Sequence, residues 1–247
     1  MIGRMLPGWV STEEIFVGGQ EDTLSGLFPE ERAAVARAVP KRQREFADVR
    51  ACARSALGRL GVAPVPLVPG HRGAPQWPEG VVGSMTHCDG YRAAAVARGS
   101  DAVGIGIDAE PAEPTPDGVL GVISLPAERE HLRTLAAAHP QVAWDRLLFS
   151  AKESVFKVWY PLTSRELDFS EAEITIDADA GTFSARLLVE GPVLGGERLR
   201  GFTGRWAARR GLLATAVLLG SRTETGAGAG SKSETETGTE TGPAALR

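Results

Sequence analysis

Twice along this chain a long amphipathic helical stretch is followed by short strand-like runs, and that repeated order constrains the fold more than any other feature. The first stretch, KRQREFADVRACARSALGRL, carries Phe46, Val49, Ala53, Leu57 and Leu60 at helical spacing and is closed by Gly61. A shorter helical segment, PEERAAVARAV, precedes it across Pro40. Beyond a Pro/Gly-rich connector, VVGSMTH and YRAAAVARG read as strands joined by CDG, and VGIGIDAE reads as a third, followed by the loop PAEPTPDG. The second helical stretch runs from about Pro140 to Trp159. It is followed by EITIDA, FSARLLVEG, RGFTGRWAAR and GLLATAVLLG. This order predicts an α+β fold of two pseudo-symmetric subdomains, each a small, mainly antiparallel sheet with a packed long helix. The expected divisions are 1–105, 106–220 and a disordered low-complexity tail at 221–247, rich in Thr, Glu, Gly and Ser.

Several function classes are set aside by composition. With 43% hydrophobic and 23% charged residues the chain reads as soluble and globular, and no apolar run is long enough to span a bilayer. Its start, MIGRMLPGWVSTEEIF, lacks the continuous apolar core of a secretory leader. Cys52 and Cys88 have neither zinc-ligand spacing nor the density of a disulfide framework, which places the chain in a reducing cytoplasm. A net charge of −4 argues against a nucleic-acid partner. The charge is unevenly spread, however. Arg37, Lys41, Arg42, Arg44, Arg50, Arg54 and Arg59 face only Glu45 and Asp48 within one segment. Lysine is scarce, at Lys41, Lys152, Lys157 and Lys232, so two lysines within FSAKESVFK stand out.

That segment and VGIGIDAEP carry the candidate chemistry. Asp108 and Glu110, two apart on a half-buried strand, project from one face. Adjacent carboxylates raise each other's pKa unless a cation neutralises them, and an all-oxygen pair suits Mg²⁺ or Mn²⁺. Taken alone, D-x-E is more often a solvated strand end. Glu153 and Lys157, four apart on the second helix, share a face among apolar flanks. The Trp-Tyr-Pro sequence at 159–161 reads as the end of that helix. His87 lies at a strand end beside Ser84 and Thr86, and His71 and Arg72 lie among glycines that permit close approach to an anion. Taken together, three acids, two lysines, a histidine, hydroxyls and an arginine-rich helix suit a multiply phosphorylated small molecule gripped through a metal. The chain has no P-loop, no dinucleotide-fold fingerprint and no nucleophile elbow.

GIDAE followed by FSAKESVFK resembles the paired signatures of the Sfp-type 4′-phosphopantetheinyl transferases, G-[IV]-D-x-E and [FW]-[ST/C]-x-K-E-[SA]-x-x-K. This group includes the enterobactin synthetase component D, and the chain is most similar to its actinobacterial type. KRQREFADVRACARSAL, GAPQWPEGVVGSMTHCDGY and ISLPAERE are similar to further blocks of the group, so the resemblance covers roughly residues 25–220. It implies transfer of the phosphopantetheine arm of coenzyme A to a serine of an apo acyl or peptidyl carrier protein, with release of 3′,5′-ADP. Such carriers serve polyketide, nonribosomal peptide (siderophores included) or fatty acid synthesis. Carried over by residue, Asp108, Glu110 and Glu153 hold Mg²⁺, or Mn²⁺ in its place. Glu153 is the base, and Lys157, assisted by Lys152, neutralises the pyrophosphate. Arg42, Arg50, Arg72, Gly73, Ser84, Thr86 and His87 hold coenzyme A phosphates, which assigns phosphate binding to the first subdomain and the acids to the second. Ala109 between the acids excludes a third ligand there, Thr86 stands where many members have Ser, and Arg72 stands near a position often held by Lys. A monomer and an acidic carrier partner, steered by Arg129, Arg133 and the 37–59 cluster, are expected.

Two rival readings use the same residues. A Mg²⁺-dependent nucleotide pyrophosphatase or phosphoesterase would employ the acids with water as nucleophile. A non-catalytic coenzyme A- or carrier-binding module would need neither Glu153 nor a metal.

Overall fold

The computed structural model describes residues 1–16 and 24–221, so the expected tail at 221–247 lies, from residue 222 onward, outside the described residues. The strands are β1 (Ser11–Phe16), β2 (Val81–Cys88), β3 (Tyr91–Arg98), β4 (Ala102–Pro111), β5 (Ala172–Asp177), β6 (Thr182–Leu187), the short β7 (Val193–Leu194) and β8 (Glu197–Arg198), β9 (Gly201–Arg209) and β10 (Leu212–Gly220). The α-helices are α1 (Pro29–Val35), α2 (Pro40–Arg59), α3 (Val119–Ile123), α4 (Pro126–Ala138) and α5 (Trp144–Thr163). β1, β3 and β2 form one antiparallel sheet, and β4, β10, β9, β6 and β5 form a second. The α+β architecture read from the sequence is the one observed. Among the described residues no helix is long and apolar enough to cross a membrane.

The alternation of small residues along β3 explains how the layers stack. Ala94 and Val96 pack with Cys52, Ala53, Ala56 and Leu57 of α2. Ala93, Ala95 and Ala97, on the opposite face, pack with Ile105, Ile107 and Ala109 of β4 and with Leu212, Ala214 and Ala216 of β10. α5 closes the far side, burying Leu147, Leu148, Val155, Val158 and Trp159 against β5, β6 and β9. The edges of the two sheets also meet. Ser84 Oγ accepts from the Ile107 amide at 3.1 Å and Thr86 Oγ1 from the Ala109 amide at 3.1 Å, so β2 and β4 run parallel, joined by hydroxyls where a ladder would stand.

Each half is pinned by the same device. α1 and α4 both begin with Pro, and the fourth residue of each segment from the cap, Glu31 or Glu128, is buried. Glu31 accepts from its own cap amide at Phe28 (2.9 Å), from Arg54 of α2 (2.9 Å) and from the Leu67 amide (2.8 Å). Glu128 accepts from the Leu125 amide (2.7 Å), from Lys152 of α5 (2.9 Å) and from the Ile174 amide (2.7 Å). A buried carboxylate is tolerated because cap, helix and following segment all donate to it. This correspondence supports the pseudo-symmetry read from element order.

Three details differ from expectation. The division at 105/106 falls within β4, which pairs with β10 along its length, so sheet membership changes between Arg98 and Ala102. The second helix neither starts near Pro140 nor stops at Trp159. α4 and α5 are separate, and α5 continues through Pro161 to Thr163, where Ser164 ends it at φ 53°. A proline in the last turn costs only the bond to the Lys157 carbonyl, so it does not stop the helix. Finally, β4 is buried on both faces from Gly104 to Ala109, except as the last acid emerges.

Candidate active site

The glycines of β4 set the site. Gly104, Gly106, Asp108 and Glu110 share one face, and that face lies under α5. A Cβ on Gly106 would stand 1.9 Å from the Ser154 carbonyl oxygen, and one on Gly104 would stand 3.1 Å from Val158 Cγ1. The helix therefore rests on bare backbone, close enough for its charged side chains to reach the acids further along the strand. Lys157 Nζ donates to Asp108 Oδ1 at 2.7 Å and to the Ile107 carbonyl at 3.0 Å. Arg146 Nη1 donates to Glu110 Oε2 at 3.2 Å. Glu153 lies on the helix between these two cations.

Electrostatics follow from that packing. Burial first, and the Asp108 charge second, push the Glu110 carboxyl up to about 7, against the pull of Arg146 and Lys157. Burial also raises Glu153, opposed by Lys157 and reinforced by Asp108. Asp108 is 5% exposed, and its Oδ2 is buried with no hydrogen-bond partner. An unpaired buried carboxylate oxygen costs about 1–3 kcal/mol or more, so this atom points to a cation or donor supplied from outside the chain. Among the described residues, no three His, Cys, Asp or Glu side chains are arranged to hold a metal by themselves, so the expected trio Asp108, Glu110 and Glu153 is not a closed cage. An open donor set is nevertheless what Mg²⁺ takes, with one or two carboxylates and the remaining positions left to water and substrate phosphate.

Beside these acids opens a cleft of about 650 Å³ between the halves. Arg42, Arg50, Arg72, Gly73, Ser84 and His87 line it from one side, and Glu153, Lys157 and Tyr160 from the other. Thr86, Asp108 and Glu110 are not part of this lining, but Lys157 connects it to Asp108. Thr86 contacts Asp108 Oδ1 at 3.4 Å while accepting from the Ala109 amide. His87 touches the Arg42 guanidinium, and Glu45 lies within 3.8 Å of Arg42, 3.6 Å of His87 and 3.7 Å of the buried Arg92. Burial first, then Arg42, Arg92 and Lys157, lower His87 to about 4, so it is neutral at pH 7. Arg50 stacks on the Phe46 ring at 3.4 Å and donates to the Leu67 carbonyl, and burial lowers it to about 10, still cationic. Arg72, at φ 56°, pairs with Glu166 at 2.5 Å, and its neighbour His71 meets Tyr160 across the cleft.

One expected residue belongs elsewhere. Lys152 is 4% exposed and spends its ammonium on Glu128 and on the Phe169 (2.6 Å) and Ala172 (3.1 Å) carbonyls. One residue is about 100° of helix, so Lys152 and Glu153 face different neighbours, and Lys152 has no reach to the cleft. Arg54, four residues on from Arg50, serves Glu31 and does not line the cleft. Arg146, Glu45 and Tyr160 were missed. Arg146 was findable, because it lies seven residues before Glu153, two turns along the same face.

Comparison with known proteins agrees with this geometry. Residues 30–97 match the 4′-phosphopantetheinyl transferase N-terminal domain, and residues 104–197 match the 4′-phosphopantetheinyl transferase superfamily. The chain is 65% identical over 225 residues to the 4′-phosphopantetheinyl transferase Svp of Streptomyces mobaraensis, covering 91% of this chain and 92% of that protein. It is 50% identical over 196 residues to the 4′-phosphopantetheinyl transferase PptT of Mycobacterium tuberculosis, covering 77% and 85%. Enterobactin synthase component D of Salmonella typhi is more distant, 34% identical over 119 residues and about half of each chain (48% and 49%). The cleft, the paired acids of β4 and the charged face of α5 thus lie in a chain that belongs to the 4′-phosphopantetheinyl transferase family.

Proposed function

We propose that this protein transfers the 4′-phosphopantetheine arm of coenzyme A to a serine of an apo carrier protein, with Mg²⁺, releasing 3′,5′-ADP. The serine oxygen forms a bond to the phosphorus bearing the pantetheine arm. The bond from that phosphorus to the bridging oxygen breaks, and the serine proton leaves to a base. The observation that carries this reading is the meeting of Asp108 and Lys157 at 2.7 Å beside a cleft lined by Arg42, His87 and Glu153. It brings acids, cations and a large cleft from both halves to one place.

The residues have separable tasks. Asp108, whose Oδ2 is unpartnered, would hold Mg²⁺ together with Glu110 and Glu153. When bound, Mg²⁺ supplies charge neutralisation on the pyrophosphate oxygens. Glu153, its proton affinity raised by burial, accepts the serine proton. Lys157 turns from Asp108 toward the leaving 3′,5′-ADP oxygens, and Arg42 and Arg72 take further phosphate oxygens as bidentate donors. His87, neutral in the free protein, donates a ring N–H there. The carrier is of the acyl or peptidyl type that serves polyketide, nonribosomal peptide or fatty acid synthesis.

Labelled coenzyme A, Mg²⁺ and an apo carrier protein test this reading. Label appearing on the carrier serine, and its loss in Asp108→Ala, are expected. Release of 3′,5′-ADP without any carrier would instead favour a hydrolase, and Asp108→Ala labelling normally in EDTA would remove the metal assignment.

A further inference from the structure

We propose that Arg146 is the positioning residue for Glu110, fixing that carboxylate and the chain leaving β4 against the first turn of α5. The inference rests on the reading of Glu110 as a site carboxylate. All three guanidinium nitrogens are committed to this one segment. Nη1 donates to Glu110 Oε2 at 3.2 Å, Nε to the Glu113 carbonyl at 3.1 Å and Nη2 to the Pro114 carbonyl at 2.9 Å. Its neighbour Asp145 accepts from the Thr115 amide at 2.7 Å and from Thr115 Oγ1 at 2.6 Å. Two consecutive helix residues thus grip residues 110–115.

This is not a surface ion pair. The Arg146 and Glu110 side chains are each only 19% exposed, and the fork is held at three points, which gives it a fixed orientation that an exposed pair lacks. Its place on the helix is also informative. Arg146, Glu153 and Lys157 recur at two and three turns along the face of α5 that rests on β4. Arg146 meets Glu110 and Lys157 meets Asp108, so strand and helix run antiparallel with one cation per acid. Glu110 is the outer acid, at the point where the strand ends and the chain turns away. Without Arg146, repulsion from Asp108 would drive its carboxylate toward solvent. A lysine at 146 keeps the charge but cannot make the three-point fork.

The test uses the full chain and four variants: Arg146→Ala, Arg146→Lys, Glu110→Gln and the double variant Arg146→Ala/Glu110→Gln. Carrier labelling gives kcat and KM for coenzyme A, and electron paramagnetic resonance of added Mn²⁺ gives metal affinity directly. Arg146→Ala should lower Mn²⁺ affinity and kcat by about tenfold each, the range for removing a group that orients a ligand, with KM for coenzyme A within about twofold. Arg146→Lys should fall between wild type and Arg146→Ala. In the Glu110→Gln background, removing Arg146 should add nothing. Independent, multiplying losses in the double variant would overturn the proposal, as would unchanged Mn²⁺ affinity in Arg146→Ala. If the wild-type chain itself bound no Mn²⁺, the metal reading would fail first and this inference with it. The wild-type measurement separates that case from a failure of Arg146 alone.

Discussion

Lys152 and Lys157 stand five residues apart on one helix, yet they answer to different parts of the molecule. Lys152 closes a buried network with Glu128 and two carbonyls, whereas Lys157 reaches Asp108 at the cleft. Lys152→Ala should cost about 3–5 kcal/mol in urea denaturation, because it strands Glu128, while the folded fraction keeps its KM for coenzyme A. Lys157→Ala should do the reverse and lower kcat about a hundredfold or more, as loss of a charge-stabilising donor does. Glu110 offers a second test at this scale. Its carboxyl titrates near 4.5 unfolded and about 7 folded. Between those values the folded chain keeps a proton that the unfolded chain has released, so this group's contribution to stability is lost as pH rises through 7. His87, lowered to about 4, acts in the opposite sense. Melting curves in EDTA should therefore isolate Glu110 as the difference between wild type and Glu110→Gln: the variant gains relative stability from pH 5 to 8. The acids, Glu153 and Lys157 were legible because two-residue and four-residue spacings fix shared faces. The position of Lys152 was not, because its partner Glu128 lies in α4, a helix the periodicity did not resolve from its surroundings.

At the scale of elements, the site depends on how close a helix can come to a strand. Gly106 lies under the Ser154 carbonyl with no room for a Cβ, whereas Gly104 meets only the side-chain tips of Val158 and Leu162. Gly106→Ala must lift α5, separating Lys157 from Asp108 and Arg146 from Glu110 together. It should lose about 1–3 kcal/mol of stability and most of its turnover, while Gly104→Ala loses less of both. Denaturation and carrier labelling of the two variants give the comparison. The strand itself was readable from Val103, Ile105 and Ile107, but it was read as half buried. Glycines in alternation resemble a weak face in sequence, and only the docked helix reveals them as a contact surface. The twin glutamates were similarly hidden. LFPEE and LPAERE show caps to the eye, but their partners Arg54, Leu67, Lys152 and Ile174 lie 23 to 46 residues away.

Across the whole molecule, the two sheets share one apolar layer and meet edge to edge through two hydroxyls. Ser84 and Thr86 were expected at the phosphates, and Ser84 does line the cleft, yet both oxygens already serve the backbone of β4. Thr86→Val should leave the Ala109 amide without its acceptor, costing about 1–3 kcal/mol, and hydrogen exchange should speed at that amide. Unfolding should remain a single transition, since Ala93, Ala95, Ile105, Ile107 and Ala214 form one core. The duplicated order of elements was visible in the sequence, but this junction was not, because it is made by side chains of one strand on the main chain of another. The junction also marks where the chain can be cut. Severed at the turn between Arg98 and Ala102, it would give two fragments: one with the arginines and His87, the other with the acids and Lys157. Neither could label a carrier alone, so turnover in a mixture would count reassembled pairs and make the enzyme a reporter of its own complementation.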